Sequence, residues 1–334
     1  VLEDNRLQAL ALSIAEGGGA RAVASLIRVT EMLEDLGELD RRTEGIADNE
    51  ALQRRAADGQ GLTRPELAVL LSNAKLLLQS EIEGGQLADD ERANALLLSD
   101  FPEAMRQPFR KRLLNHPLRP QIVATVIANR MVNRMGLIHP FELTEEEGAG
   151  LAQVAAAFVA ACEMFGMERI WAAIDIAPMP EGARLQLFQQ AAAALRGHMA
   201  DLLRSGGAVL PPSQLLSELA PGVAELIAHV DDLLASEARG HTAAIADALL
   251  AAGAPADLAA MVAQLFAVDG AIGLARLARD TGIAPVPLTR AFSQLGERLG
   301  LDWAQQKASV LNPSDPWERL LVAGLARDFQ QMRF

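Results

Sequence analysis

No tyrosine occurs in the 334 residues, and ten phenylalanines with three tryptophans bring the aromatic share only to 4%. β-Branched residues are also thin. A large sheet draws on both kinds of side chain, so their scarcity argues against one. Alanine and leucine dominate instead, and both favour helix. Cysteine is nearly missing: Cys162 stands alone. No disulfide can form within the chain, which leads us to expect a reducing, cytoplasmic setting. Its surroundings, "AAFVAACEMFG", are apolar. They suit a buried, inert thiol better than a nucleophile, which needs an electropositive and partly open site. Basic excess is missing too: 30 Lys and Arg face 43 Asp and Glu, a net charge of −13. Neither nucleic acid nor an anionic membrane is expected as a partner, since both call for clustered positive charge. No run reaches the roughly eighteen uncharged apolar residues of a membrane span. The start, "VLEDNRLQ", has neither the basic head nor the apolar core of a signal peptide. It begins on valine, as a piece of a longer or processed chain would.

Half of the residues are hydrophobic, and a chain of this length can bury about 75% of the surface its unfolded form exposes. Helical spacing runs throughout. Leu7, Leu10 and Ile14 share one stripe, and Val23, Ile27 and Met32 another, before Gly37. "LTRPELAVLLSNAKLLL" carries the clearest start signal. Thr63 can cap, Pro65 fits the first turn, and Glu66 stands three residues on, which makes a capping box. Leu67, Leu70, Leu71, Ala74 and Leu78 form the apolar face that follows. The pattern predicts helices near 89–99, 102–115 and 120–135, with Gly136 as a stop. Thr144 with Glu147 reads as a second capping box opening a long helix. "MERIWAAID" follows, then a helix over 181–204. Later helices are expected near 221–237, 241–252, 255–266, 270–281, 286–299 and 316–332. "RSGGAVLPP" reads as a linker of small residues and prolines. The expected layout is therefore all-α, with bundle-like packing in two subdomains, 1–204 and 213–334, joined by 205–212.

Signals of chemistry are weak. "GGGARA" (17–22) fits the dinucleotide pattern, with Asp40 at the distance of a ribose contact. That mechanism needs a strand before the glycines. Helical stripes flank them here, so a helix-to-helix turn is the better reading. Glu225 with His229, and Glu237 with His241, share helical faces, and Asp232 lies near His229. Metal sites want three or four converging ligands, so surface pairs suffice. Ser13 and Ser72 lack the context of a nucleophile. No phosphate-binding loop is present.

Four stretches together resemble the C-terminal region of the very large bacterial NAD-dependent glutamate dehydrogenases. They are "LEDNRLQALALS" (2–13), "GLTRPELAVLLSNAK" (61–75), "FPEAMRQPFRKRLLNHPLRPQIVATVIANRMVNRMG" (101–136) and "LGLDWAQQKASVLNPSDPWERL" (299–320). Arg6 stands where the family usually has an aromatic, and 204–240 is only loosely similar. The resemblance implies that NAD binding and the oxidative deamination of glutamate to 2-oxoglutarate and ammonia belong to an upstream core. It carries no catalytic, cofactor-binding or metal residue onto this segment. The implied role is a non-catalytic helical module for assembly, stability or regulation. Its partners would be the upstream catalytic domain of the same polypeptide and further copies in a homo-oligomer. An effector-binding module, with Arg110/Arg112 or Arg130/Arg134 receiving an anion, is one alternative. A free-standing helical scaffold is another.

The stretch "VIANRMVNRMG" (126–136) asks why a helix sets Asn129 and Asn133 in register beside Arg130 and Arg134. On a helix from Pro120, the residues Ile122, Val123, Val126, Ile127 and Met131 face a core, and Thr125, Asn129 and Asn133 form a polar ladder. The preferred reading buries both amides against neighbouring backbone, fixing helix register. The others make the four residues a docking surface for the catalytic core, or leave them in solvent.

Overall fold

The computed structural model describes residues 2–205, 210–234 and 236–299. Among them the protein is all-α: eighteen α-helices and one 3-10 turn, with no strand. Two compact units form, Val1–Ala160 with Gly206–Gln214, and Ala161–Ser205 with Leu215–Phe334. The expected divider at 205–212 and the expected helix 316–332 fall wholly or partly outside the described residues.

The first unit is built on α1 (Leu2–Asp35), which breaks at Gly19 (φ 52°, ψ −142°). The residues of "GGGARA" are thus the junction of two helical runs, as the flanking stripes required. A Cβ at Gly61 would lie 3.0 Å from the Gly19 carbonyl carbon. Two glycines therefore allow this backbone-to-backbone approach. Val23, Leu26, Ile27 and Leu33 are buried where α1 meets its neighbours. After α2 (Arg41–Glu44) comes α3 (Asn49–Ala57), in a stretch whose polarity alone would suggest a loop. Asp48 starts α3 by accepting the Ala51 N–H at 2.7 Å, and Leu52 anchors it in the core.

The centre of this unit is the packing of α4 (Arg64–Glu83) against α8 (Arg119–Met135). All five apolar positions anticipated on α4 are buried. On α8, Val123, Ile127 and Met131 are buried, while Ile122 and Val126 are half-exposed. The core face turns instead toward Ala124, Ala128, Val132 and Asn133.

Several boundaries differ from expectation for local reasons. Residues 89–99 hold a 3-10 turn (Leu87–Asp89) and the short α5 (Ala93–Ser99), because Asp90 is extended (φ −62°, ψ 141°). The helix expected over 102–115 is α6 (Glu103–Arg106) and α7 (Arg110–Leu114). Pro108 lies between them and lacks the N–H that a continuous helix needs. Thr144 does not open a helix. It sits inside α9 (His139–Glu147), its hydroxyl donating to the Phe141 carbonyl at 2.7 Å, and Gly148 ends that helix in the left-handed region (φ 63°). Then α10 (Leu151–Met164) begins, with Gln153 Oε1 accepting the Gly150 N–H at 2.7 Å. The helix expected from 221 starts at Pro212 and carries Pro221 inside: α13 (Pro212–Ala228), followed by α14 (Val230–Leu233). Among the described residues one helix, Arg6–Asp35, is long and apolar enough to cross a membrane by length and composition, although its charged residues leave no uncharged run of eighteen. It contains Glu16 and Arg21, breaks at Gly19, and packs against α3, α4 and α8.

The second unit is centred on α12 (Glu181–Arg204), which packs against α11 (Met167–Ile176), α16 (Ala256–Ala267) and α17 (Ala271–Thr281). Ala191, Ala192 and Ala194 are buried on α12, facing a core that includes Trp171, Leu258, Ala259 and Val262. Small side chains let helix axes approach closely, so the alanine content becomes packing density. α15 (Ser236–Ala251) covers α16, and α18 (Pro285–Leu299) packs on α17. Arg184 ends α11 by donating to the carbonyls of Ile174, Asp175 and Ala177.

Candidate functional site

Glu66 is the most connected polar group that the sequence pointed to. The Thr63 N–H and the Thr63 hydroxyl each donate to Oε2 at 2.7 Å. The Ala47 N–H donates to Oε1 at 3.2 Å, and Arg55 reaches both oxygens at 3.0 and 2.8 Å. The box at the start of α4 is present, and the carboxylate carries most of it. Burial opposes its ionisation, but the Thr63 and Ala47 N–H groups, the Thr63 hydroxyl and Arg55 outweigh that and lower the pKa below 4.5. One side chain thus ties the loop before α3, the end of α3 and the start of α4.

The residues of 126–136 lie at different depths. Asn133 is buried at 3% exposure, and its Oδ1 accepts no hydrogen bond among the described residues. Asn129 is half-buried. Arg130 donates to the Ser99 hydroxyl at 3.2 Å, linking α8 to the end of α5, and Arg134 is half-buried. Thr125 is exposed, and its hydroxyl bonds back to the Gln121 carbonyl at 2.7 Å. The ladder therefore divides by depth, and the Asn133 carbonyl does not make the bond to neighbouring backbone that the preferred reading required.

Other sequence signals resolve into local structure. Asp40 caps α2, accepting from the N–H groups of Arg42 and Thr43. The Thr43 hydroxyl and N–H are the main causes that lower the Asp40 pKa. Ser13 and Ser72 bond back to the carbonyls of Ala9 and Ala68. His229 Nδ1 lies 2.9 Å from the Glu225 carbonyl, and the His241 ring meets Phe266 edge-on. Cys162 is buried. Among the described residues no three His, Cys, Asp or Glu side chains converge as a metal site.

Three further polar groups escaped the sequence reading. Asp90, 7% exposed, accepts the Arg92 N–H at 2.8 Å, and at Oδ2 both the N–H and the hydroxyl of Ser213, at 3.0 and 2.7 Å. A carboxylate at the first turn of α13 also meets the positive end of that helix. Arg119 donates to the Ala88 carbonyl at 2.8 Å, to Asn94 Oδ1 at 2.9 Å and to the Leu114 carbonyl at 3.3 Å. His198, on α12, is 1% exposed and stacks on Phe165 with centroids 3.7 Å apart and planes at 9°. Neither ring nitrogen has a hydrogen-bond partner among the described residues. Burial pushes its pKa from 6.5 down to about 3. The Leu265 backbone, close by but outside hydrogen-bond geometry, pulls the other way. The imidazole is neutral at neutral pH. Arg55 and Glu66 stand eleven residues apart on different helices, so no i, i+4 spacing pairs them, and nothing local marks His198.

These are the means of holding helices together, with no convergent nucleophile, acid and base among them. A family model described as "Glutamate dehydrogenase, C-terminal" matches residues 59–334. The chain belongs to that family. It is 30% identical to the NAD-specific glutamate dehydrogenase of Halomonas elongata over 320 residues, 95% of this chain and 20% of that protein. With the NAD-specific glutamate dehydrogenase of Pseudomonas aeruginosa the identity is also 30%, over 96% of this chain and 20% of the relative. With that of Mycobacterium tuberculosis it is 25%, over 87% and 18%. The chain spans about a fifth of the length of these curated relatives. Within the family match lie the Thr63–Glu66 box, all of α8, and the stretches 61–75, 101–136 and 299–320, while 2–13 precedes it.

Proposed function

We propose that this chain is the C-terminal helical module of an NAD-dependent glutamate dehydrogenase and serves its parent by contact rather than by chemistry. The parent reaction is the oxidative deamination of glutamate to 2-oxoglutarate and ammonia with NAD. The observation that carries the reading is how the polar groups are used. Glu66, Asp90, Arg119 and Arg184 all bond across loops and helix ends within their own unit. Catalytic side chains, by contrast, point into an open cleft with displaced pKa values. Membership of the family and the fivefold greater length of the relatives support the remainder: NAD and substrate bind upstream, and this module holds the catalytic domain and its copies in a homo-oligomer. Neither nucleic acid nor membrane is a partner in this reading, and the compartment is the cytoplasm.

The test is to express the parent with and without the region equivalent to residues 1–334, then measure oligomer size and turnover. Deletion should reduce assembly and, through it, activity. The isolated chain should not reduce NAD with glutamate. A truncated enzyme with normal assembly and rate but no response to effectors would overturn the structural role in favour of a regulatory one.

A further inference from the structure

Asp269 stands in the turn between α16 and α17, and its carboxylate forms no ion pair among the described residues. Other acids of the second unit are treated differently. Asp201 lies 3.5 Å from Arg204, Asp280 meets Arg276 and Arg279, and Glu218 meets Arg279. Asp269 is also open to solvent. Even so, desolvation by the surrounding protein raises its pKa above 3.8, while Arg204, the nearby Gly270 N–H and His241 pull it back. A carboxylate that is both open and desolvated stands on the floor of a recess.

The surroundings of that recess come from three helices. On α12, Gly197, Asp201 and Arg204 share a face at positions i, i+4 and i+7. A Cβ built on Gly197 would lie 3.8 Å from Asp269 Oδ1, so the bare glycine leaves the carboxylate uncovered on this side. Two rings stand close by, His241 of α15 meeting Phe266 of α16 edge-on with centroids 6.4 Å apart. The Asp269 N–H donates to the Phe266 carbonyl at 3.3 Å, which fixes the turn. Gly270, at φ 76°, brings no side chain over the carboxylate, and a Cβ there would meet nothing within 4 Å.

We propose that this recess binds a primary ammonium group, carried by a small amine or by an amino acid. The carboxylate has negative charge and acceptor capacity to spare. An ammonium ion supplies charge and N–H donors together, and such charge-assisted bonds are the strong ones. Aromatic rings beside the carboxylate attract the same cation. A metal ion fits less well, because no three His, Cys, Asp or Glu side chains converge among the described residues. This binding lies beyond the contact role proposed above and stands or falls separately from it.

The test is calorimetric titration of the 334-residue chain at constant ionic strength with propylammonium, alanine and tetramethylammonium. At least one of the first two should bind saturably, at about 1 mM or tighter. Tighter binding of alanine would assign the site to an amino acid, whose carboxylate gains Arg204 or the start of α17, where Gly270 offers no side-chain cap. Tighter binding of propylammonium would assign it to an amine. Asp269→Asn keeps the size of the side chain and should weaken binding by about tenfold or more. Gly197→Leu sets bulk beside Oδ1 and should do the same without touching a charge. Both variants should keep the thermal midpoint of the free chain, and ligand should raise that midpoint in the wild type alone. Failure to saturate by about 50 mM would overturn the proposal. So would equal binding of tetramethylammonium, which has no N–H, or undiminished binding by Asp269→Asn.

Discussion

Glu66 and Asp90 in the first unit and His198 in the second are buried by opposite means. In the first, Glu66 and Asp90 are sunk beneath loops, and each accepts several hydrogen bonds. In the second, His198 lies deeper than either, stacked on Phe165 with neither nitrogen bonded among the described residues. A carboxylate cannot lose its charge cheaply at neutral pH, so it must be met by donors. An imidazole can give up its proton and pack as a flat ring. The first unit therefore gains stability from the ionisation of Glu66, and the second from keeping His198 neutral.

The largest expected effect is at Glu66. Glu66→Ala removes the partner of Arg55 and of the Thr63 and Ala47 N–H groups together, and should destabilise by about 3 kcal/mol in denaturant unfolding. A loss under about 1 kcal/mol would erase the contrast between the units.

Acid separates them next. The folded pKa of His198 lies below its ordinary 6.5, so the unfolded chain takes up this proton first as pH falls. Its stability contribution is complete above pH 6.5 and is lost as pH falls toward about 3. By about pH 5 the loss should reach about 2 kcal/mol. Glu66 also has a lowered folded pKa, but its contribution is complete above 4.5 and fades only as pH falls below that. Hydrogen exchange read segment by segment should therefore show α12 loosening at a higher pH than α4. His198→Phe should remove the slope between pH 6.5 and about 5. A wild-type slope that survives in that variant would show that another group titrates.

Thr63→Ala should lower stability by about 1 kcal/mol through the lost cap. Because the Thr63 hydroxyl donates to Glu66, the loss should shrink by about 0.5 kcal/mol in a Glu66→Ala background. Strict additivity would mean that the hydroxyl serves the helix terminus alone. The smallest effect belongs to Asn133→Leu. Its buried Oδ1 has no partner among the described residues, so the substitution should be neutral or stabilising by up to about 1 kcal/mol. A loss above about 1 kcal/mol would reveal a bonded amide and place α8 on the same footing as Glu66.

Much of this architecture is legible from spacing, because a helix is decided within a few residues of itself. The stripes on α1 and α4, the box at Thr63 and Glu66, the start near Pro120 and the stop at Gly136 all follow from local rules. Thr144 misled because Pro140 offered an earlier first turn and Gly148 a stronger stop, two equally local signals that compete with a capping box. Partners far apart in sequence were a different matter. Asp90 meets Ser213 across 123 positions, and Ser25 meets Glu142 across 117.

By itself, then, the sequence determined that the chain is helical, acidic and free of internal disulfides, since each depends on composition and on neighbours within a turn or two. Only the tertiary structure decided that Glu66 is a buried hub, that Asn133 is sunk while Asn129 is not, that His198 is a neutral core residue, and that Arg110 to Arg112 are exposed. Those four outcomes depend on which helices pack together. Burial and hydrogen bonding act through contacts in space, and the spacing of residues along one helix carries no record of what the next helix will bring against it.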